Sequence, residues 1–572
     1  MKTMMKTAVM MMAAAALSAA DAMPAGPKIP LWPEGRIPDF QSHQVAAMLA
    51  ETKAPGFDPD SNRMPHLQWY PPPAATAKTD VCMIIISGGG YNRCCDIPAF
   101  ETFVTKLLDA GIHCVNMTYR TPRPKGIPIY KTAWEDGQRG VRMVRSMAAE
   151  RGFDPEKIGV TGCSAGSHLS LLLAFSSQTP AYEPVDDLDK IPCHINWAIP
   201  FCPAYALTDG MEGPNKMKGD GPGVELHPAF AFDSKTCPVC FFHGGKDPYS
   251  PIGSTMAYRR LHAMNIPAEL HLDADRGHGL VRPPVYERAM EFMRQMEFIG
   301  KLERPKAQDH RFFPGDTIRT EKEMLWPKGR MPDPSPNQTY DPYLVWFIPE
   351  KLSTKAVQVI VPGGAYNFCN FNGEGTPVAH YLNGKGMAAV VVMYRCPRPE
   401  GNPKHFSALQ DAQRAVRMVR AEAPKRGLDP GRIGLMGFSA GGHLTIVEST
   451  TSKTSAYKPV DEIDGESCSV QWAVPIYPAY VLNEGDDSAF APELTFDEAT
   501  PIMCLVHGDA DKISPLNSVM VWEKLRRMGL QSDLHTLAKR GHCFQMSASP
   551  GTGSYTWMDR VWEFLTRKGL NK

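Results

Sequence analysis

Residues Arg151–Leu169 read RGFDPEKIGVTGCSAGSHL, and 275 positions later Arg426–Leu444 read RGLDPGRIGLMGFSAGGHL. In each, a run of small and β-type residues (IGVTG, IGLMG) ends in Gly-x-Ser-Ala-Gly, and an apolar helical stretch follows at once. Glycines on both sides of the serine permit a sharp strand-to-helix turn, which lifts the Ser Oγ clear of a sheet and places it at a helix N-terminus. A strand that feeds directly into a helix is the unit of a parallel sheet covered on both faces.

Outward from this stretch the whole chain repeats itself. YRTPRPKG (Tyr119–Gly126) returns as YRCPRPEG and DGQRGVRMVR (Asp136–Arg145) as DAQRAVRMVR, both at the same offset of 275. LWPEGRIPD (Leu31–Asp39) returns as LWPKGRMPD at 294, and FDSKTCPVCFFHGGKD (Phe232–Asp247) as FDEATPIMCLVHGDAD at 264. The smaller late offset puts 11 extra residues in the first copy between Tyr205 and Phe232, in a Gly- and Lys-rich segment whose composition predicts a surface loop. A repeat this long is a domain. Residues 1–22 are read as a signal peptide, 23–300 and 323–572 as two domains, and 301–322, polar and unpatterned, as the linker.

Within the first copy short apolar runs alternate with amphipathic ones. Val81–Ser87, His113–Tyr119, Ile158–Gly162, Trp197–Phe201, Val239–His243 and Ala268–Leu272 are predicted strands. Thr102–Ala110, Glu135–Arg151, Gly166–Ser176, Thr255–Met264 and Val285–Phe298 are predicted helices. The expected fold class is α/β, as two tandem domains, each a mostly parallel twisted sheet with helices on both faces. Functional loops then belong at the carboxyl ends of the strands.

Bulk properties narrow the partners. At 572 residues the chain is too long for one core, and its 61 Lys plus Arg balance 61 Asp plus Glu. No basic stripe points to nucleic acid. Lys2 and Lys6, the apolar run Ala8–Leu17 and Ala20-Asp21-Ala22 form a secretory pattern, which predicts a secreted or periplasmic protein. The apolar run is shorter than the roughly 20 residues of a membrane span. Most of the 14 cysteines, Cys82, Cys114, Cys240 and Cys504 among them, sit in strand-like runs and read as small buried hydrophobes. Cys237-Pro238-Val239-Cys240 has CxxC spacing but leads into an extended strand, which separates the two Cα atoms too far for a bridge.

The chemistry-bearing residues recur in pairs. Ser164 and Ser439 are the candidate nucleophiles, and Cys163 is no rival because Phe438 takes its place in the second copy. Ser87-Gly88-Gly89-Gly90-Tyr91 and Pro362-Gly363-Gly364-Ala365-Tyr366 follow a strand and can aim backbone N–H groups at a carbonyl oxygen. The expected oxyanion donors are Gly89, Gly90 and Ala165, and Gly364, Ala365 and Ala440. Ala365 should keep the N–H but alter the loop's shape. Neither loop has GxxxxGK[ST] or GxGxxG spacing.

For the acid, HGGKD offers Asp247 and HGDAD offers Asp509 or Asp511; the one present in both copies is Asp247, matched by Asp511. For the base, His271 and His535 lie inside a strand, whereas His278 and His542 each follow a glycine beyond it and are preferred. His168 and His443, four residues past the serines, are expected to pack and hydrogen-bond beneath the turn, and His243 and His507 to be structural. Arg120 with Arg123, and Arg395 with Arg398, stand near a strand end, either lining the cleft or exposed in a loop.

With these motifs the sequence resembles the α/β-hydrolase carbohydrate acetylesterases, the acetyl-xylan-esterase-like group classed with feruloyl-esterase-like hydrolases. The likeness rests on GGGY and GGAY, YRxPRP, DxQRxVRxVR, DPxxIGxxGxSAGxHL, HGxxD and the terminal Gly-His, and the order Ser, Asp, His along the chain is that fold's order. Ser87 and Pro362 stand where lipase-like relatives carry a histidine. The resemblance implies a serine carboxylic-ester hydrolase that deacetylates plant cell-wall polysaccharide such as acetylated xylan, with no cofactor and no metal. The alternatives are a feruloyl or aryl esterase, a dipeptidyl-peptidase-like enzyme, for which no propeller repeats are found, and one catalytic copy beside a noncatalytic carbohydrate-binding copy.

Overall fold

A computed structural model describes residues 25–41, 44, 65–94, 101–208, 223–279, 283–300, 318–544, 546 and 556–572. The expected signal peptide, residues 301–317 of the expected linker and most of the first copy's insert lie outside these residues. The chain is two tandem α/β domains.

The strands, in chain order, are β1 (Lys28–Pro30), β2 (His66–Tyr70), β3 (Cys82–Ile86), β4 (His113–Met117), β5 (Ile158–Cys163), β6 (Trp197–Phe201), β7 (Val239–Gly244), β8 (Ala268–Asp273) and β9 (Ile318–Met324). They continue as β10 (Tyr343–Pro349), β11 (Val357–Val361), β12 (Ala388–Met393), β13 (Ile433–Phe438), β14 (Trp472–Ile476), the hairpin β15 (Leu482–Asn483) and β16 (Asp486–Phe490), β17 (Ile502–Gly508) and β18 (Asp533–Leu537). The helices are α1 (Glu101–Asp109), α2 (Lys131–Ser146), α3 (Ala148–Arg151), α4 (Ala165–Phe175), α5 (Ile252–Ala263) and α6 (Pro283–Gln295). In the second copy they are α7 (Thr376–Gly384), α8 (Phe406–Glu422), α9 (Ala440–Thr451), α10 (Leu516–Arg527) and α11 (Thr556–Arg567).

Contacts divide the chain into two compact units that do not coincide with the two sequence copies. The first unit is Met1–Pro200 with Ala229–Cys237 and Val281–Tyr286; the second is Phe201–Pro228, Pro238–Leu280 and Glu287–Lys572. In the first, the strand order is β1-β2-β4-β3-β5-β6, with β2–β4 antiparallel and β3 parallel to both β4 and β5. In the second, the order is β7-β8-β18-β17-β14-β13-β11-β12-β10-β9.

The second copy shows why these residues form a covered sheet. Along β11, Val357, Val359 and Val361 join one apolar layer while Ile360 joins the other. Along β13, Ile433 and Leu435 face the first layer, and Met436 and Phe438 the second. Period-two alternation with both faces apolar requires helices on both sides.

Two expectations are corrected. Residues 318–322, read as the tail of an unpatterned linker, begin β9, which pairs antiparallel with β10 in register Phe347↔Thr320. Its charges alternate, Glu321 and Glu323 both pairing with Arg426, which suits an edge strand that must not recruit another chain. The helix expected over Glu135–Arg151 starts a turn earlier and breaks at Met147 into α2 and α3.

The two copies meet inside the second unit. β8 of the first copy pairs antiparallel with β18 of the second, in register Leu534↔Leu272, His535↔His271 and Thr536↔Leu270. His271 Nδ1 and His535 Nδ1 stand 3.1 Å apart, fully buried. Around them Asp509 accepts from Tyr258 Oη at 2.7 Å and from Ala268 N at 3.0 Å, Asp533 accepts from Ala274 N at 2.8 Å and pairs with Arg567, and Arg560 pairs with Glu291 at 3.0 Å.

Candidate active site

At the end of β13 the backbone of Ser439 takes φ 52° and ψ −115°, a left-handed conformation that an L residue holds only when its surroundings force it. What forces it is close approach. A Cβ on Gly437 would stand 2.1 Å from Gly441 O, and one on Gly441 would stand 2.2 Å from Val361 O, so the turn can be built only with glycine at both places. Ser439 O accepts from His443 N at 3.0 Å as α9 begins, and Ser439 N donates to Ile476 O at 3.0 Å.

Against this serine the second copy brings its other two candidates. Ser439 Oγ lies 2.7 Å from His542 Nε2, and His542 Nδ1 lies 2.7 Å from Asp511 Oδ2. Asp511 follows β17 and accepts from Ile513 N at Oδ1, 2.8 Å; His507 Nε2 stands 3.4 Å from Oδ2, the oxygen that His542 meets. Burial opposes the charge on Asp511, but hydrogen bonds from His507 and His542 hold its pKa down at about 2. Burial likewise pulls His542 down, yet its bond to Asp511 and the neighbouring Cys543 thiol leave it above the usual imidazole range. With Nδ1–H donated to the carboxylate, Nε2 is the acceptor for the serine proton. Asp509, the alternative acid, belongs to the contact of β8 with β18.

The first copy repeats the parts. In the first unit Ser164 takes φ 57° and ψ −120°, and a Cβ on Gly88 would stand 3.1 Å from Ser164 Cβ, so the Gly-rich loop lies on the turn. In the second unit His278 Nδ1 lies 2.8 Å from Asp247 Oδ2, Tyr249 N donates to Asp247 Oδ1 at 2.8 Å, and His243 Nε2 is 3.4 Å away. Despite its burial, Asp247 is held well below the usual carboxylate range by His243 and His278.

The Gly-rich loops keep one shape in both copies. Gly89 and Gly364 have φ 130° and 136°, and Gly90 and Ala365 have φ 62° and 55°. The altered shape expected at Ala365 does not occur; the alanine accepts the glycine's conformation instead. Gly363 N donates to Glu374 Oε2 at 2.7 Å, so that N–H is already committed within the loop.

Several residues near the site escaped sequence reasoning. Glu374 is buried and also accepts from Tyr477 Oη at 2.9 Å, and the Tyr477 ring packs edge-on against His542 at 5.0 Å. The first copy carries Ala99 and Cys202 at these places, so repetition gave no signal. Arg120 and Arg395 do not line a cleft: each is 1% exposed and locked to Asp136 or Asp411. Their strands end against a helix that supplies the carboxylate, and a buried guanidinium demands it. Arg123 Nε donates to Gly90 O at 2.6 Å, and Arg398 N to Tyr366 O at 2.7 Å, so these residues brace the Gly-rich loops. His168 and His443 accept or donate at Nδ1 to Tyr91 and Tyr366, both at 2.8 Å, and His243 and His507 bond Ser254 and Ser518 at 2.9 and 2.8 Å.

Comparison with known proteins agrees with the motifs. The acetylxylan esterase of Xylanibacter ruminicola is 29% identical over 218 residues, 35% of this chain and 43% of that protein. The esterase LipQ of Mycobacterium tuberculosis is 26% identical over 209 residues, 33% of this chain and 47% of that protein. The chain thus spans less than half the length of these relatives. Among solved structures, an acetyl ester-xyloside bifunctional hydrolase from Caldicellulosiruptor lactoaceticus is 28% identical, with a TM-score of 0.38 over 44% of this chain and 97% of that one. The BD-FAE family matches twice, at residues 67–209 and 345–488, and these segments take in half of the sequence. The tandem duplication of an esterase domain read from the motifs is therefore shown, and the chain belongs to the BD-FAE family.

Proposed function

We propose that this protein is a carboxylic-ester hydrolase that removes acetyl groups from plant cell-wall polysaccharide such as acetylated xylan, through an acyl-enzyme formed on a serine in each copy. The observation that carries the reading is the unbroken line Ser439 Oγ, His542 Nε2, His542 Nδ1, Asp511 Oδ2, with 2.7 Å at both links, on a strained strand-to-helix turn. His542 takes the proton as Ser439 attacks the ester carbonyl, and Asp511 holds the imidazole in the tautomer that can accept it. The N–H groups of Gly364, Ala365 and Ala440 face the developing oxyanion, where one such donor contributes about 3 kcal/mol. The imidazolium protonates the leaving sugar oxygen, and water releases acetate by the same steps in reverse. In the first copy the sequence repeat assigns the corresponding roles to Ser164, His278 and Asp247, with Gly89, Gly90 and Ala165. The name of the relative from Xylanibacter ruminicola supports the choice of acyl group and polymer. The pattern of residues 1–22 supports export, tested by N-terminal sequencing of the protein recovered outside the cytoplasm.

The test is acetate release from acetylated xylan by Ser164→Ala, Ser439→Ala and the double variant. Loss of a triad serine costs up to about a million-fold. Two active copies give partial activity in each single variant and almost none in the double; a single variant equal to wild type assigns that copy no part in deacetylation. Ferulate release measured in parallel separates the aryl-esterase alternative.

A further inference from the structure

One turn into the nucleophile helix of the second copy, His443 is fully buried, with Nδ1 on Tyr366 Oη at 2.8 Å. Its other nitrogen, Nε2, makes no hydrogen bond and stands 3.3 Å from Glu493 Oε1. His405 Nδ1, also without a hydrogen bond, stands 3.5 Å from the same oxygen, and the three donor atoms lie within 4.8 Å of one another. Two ligands at about 2.1 Å from a tetrahedral zinc ion are themselves about 3.4 Å apart, so these separations fit a shared metal ion.

The state of the groups agrees. Nδ1 of His443 is taken by Tyr366, which leaves Nε2 and its lone pair turned toward Glu493. Two imidazole nitrogens and one carboxylate are the donor set of zinc and its late first-row neighbours. The nearby Lys404 ammonium is drawn aside over the Tyr480 ring, 4.0 Å from its centroid. Tyr366 supplies the outer contact that fixes the His443 ring, as metal-ligating histidines require.

Two other histidine clusters show the contrast. In Cys240, Glu269 and His271 the His271 Nε2 is at hydrogen-bond distance from Glu269, 2.9 Å, and Nδ1 is engaged by His535. In Cys504, Asp533 and His535 the carboxylate is already taken by Ala274 N and Arg567. The first copy offers its own control: His168 keeps the tyrosine contact but has Tyr130 and Ala229 where the second copy has His405 and Glu493.

We propose that His405, His443 and Glu493 form a binding site for a divalent transition-metal ion of the zinc class, which clamps three segments of the second copy to the tyrosine that follows its Gly-rich loop. The experiment strips the full chain with a chelator, titrates it with zinc by calorimetry, and counts bound metal by mass spectrometry. One zinc per chain and a zinc-dependent rise in Tm are expected. His405→Tyr, which installs the first copy's residue, and Glu493→Gln should each weaken binding more than about 100-fold and abolish the Tm rise, and Tyr366→Phe should weaken it about 10- to 100-fold. Cooperative melting of each metal-free variant controls for folding. A wild-type chain that takes up no stoichiometric zinc, or zinc retained by both His405→Tyr and Glu493→Gln, overturns the site and leaves an imidazole–carboxylate contact only. Neither outcome depends on esterase activity.

Discussion

The serine, the imidazole and the carboxylate of the second copy set a sign for pH dependence. His542 must be neutral to accept a proton, and its contact with Asp511 raises its pKa above the usual value near 6.5. In the Ser164→Ala variant, where only the second copy works, kcat/KM should climb as pH rises above neutrality. A plateau already reached at pH 7 contradicts the raised value. At Ala365 the left-handed φ of 55° burdens a side chain that Gly90 does not carry. Ala365→Gly should raise stability by about 1 kcal/mol in a denaturant melt, with the loop's N–H unchanged.

Among the elements, α9 carries an anomaly. Glu448 is fully buried on it with neither carboxylate oxygen hydrogen-bonded, and burial pushes its pKa up to about 8. The first copy has Leu173 at this place. The folded chain keeps the Glu448 proton between about pH 4.3, the unfolded value, and about 8, so wild-type stability falls with rising pH across that window. Glu448→Leu should therefore stabilise the protein by about 1–3 kcal/mol, and the gain should widen from acid to pH 8 in parallel melts.

The same elements show what sequence could reveal. Trp197–Phe201 was legible to the residue, and the other expected strands and helices of the first copy to within a few, because buried parallel strands and amphipathic helices have distinct periods; β1 and β2 were not read as strands. The serines and the histidines beyond a glycine were legible because the repeat shows them twice. β9 was not, since a charged edge strand has the composition of a linker, nor was the role of Asp509, which depends on a strand 241 residues away. Glu374 and the His405, His443 and Glu493 group are absent from the first copy, and only folding brings them together.

At the scale of the whole molecule, the pairing of β8 with β18 is nearly self-complementary, histidine facing histidine across antiparallel strands. Residues 23–300 produced alone should therefore associate through β8, as dimers or larger species in light scattering, rather than remain monomeric. Tyr258→Phe removes one of the two donors to the buried Asp509 and should cost about 1–3 kcal/mol of stability.

That central pairing also constrains how the gene can change. A stop codon between the repeats leaves a strand whose hydrogen-bonding edge has lost its mate, so truncation yields a sticky fragment in place of a smaller enzyme. Once the duplicated halves had come to share a sheet, neither could be discarded without harm to the other, and this holds even if one of them stopped turning over substrate.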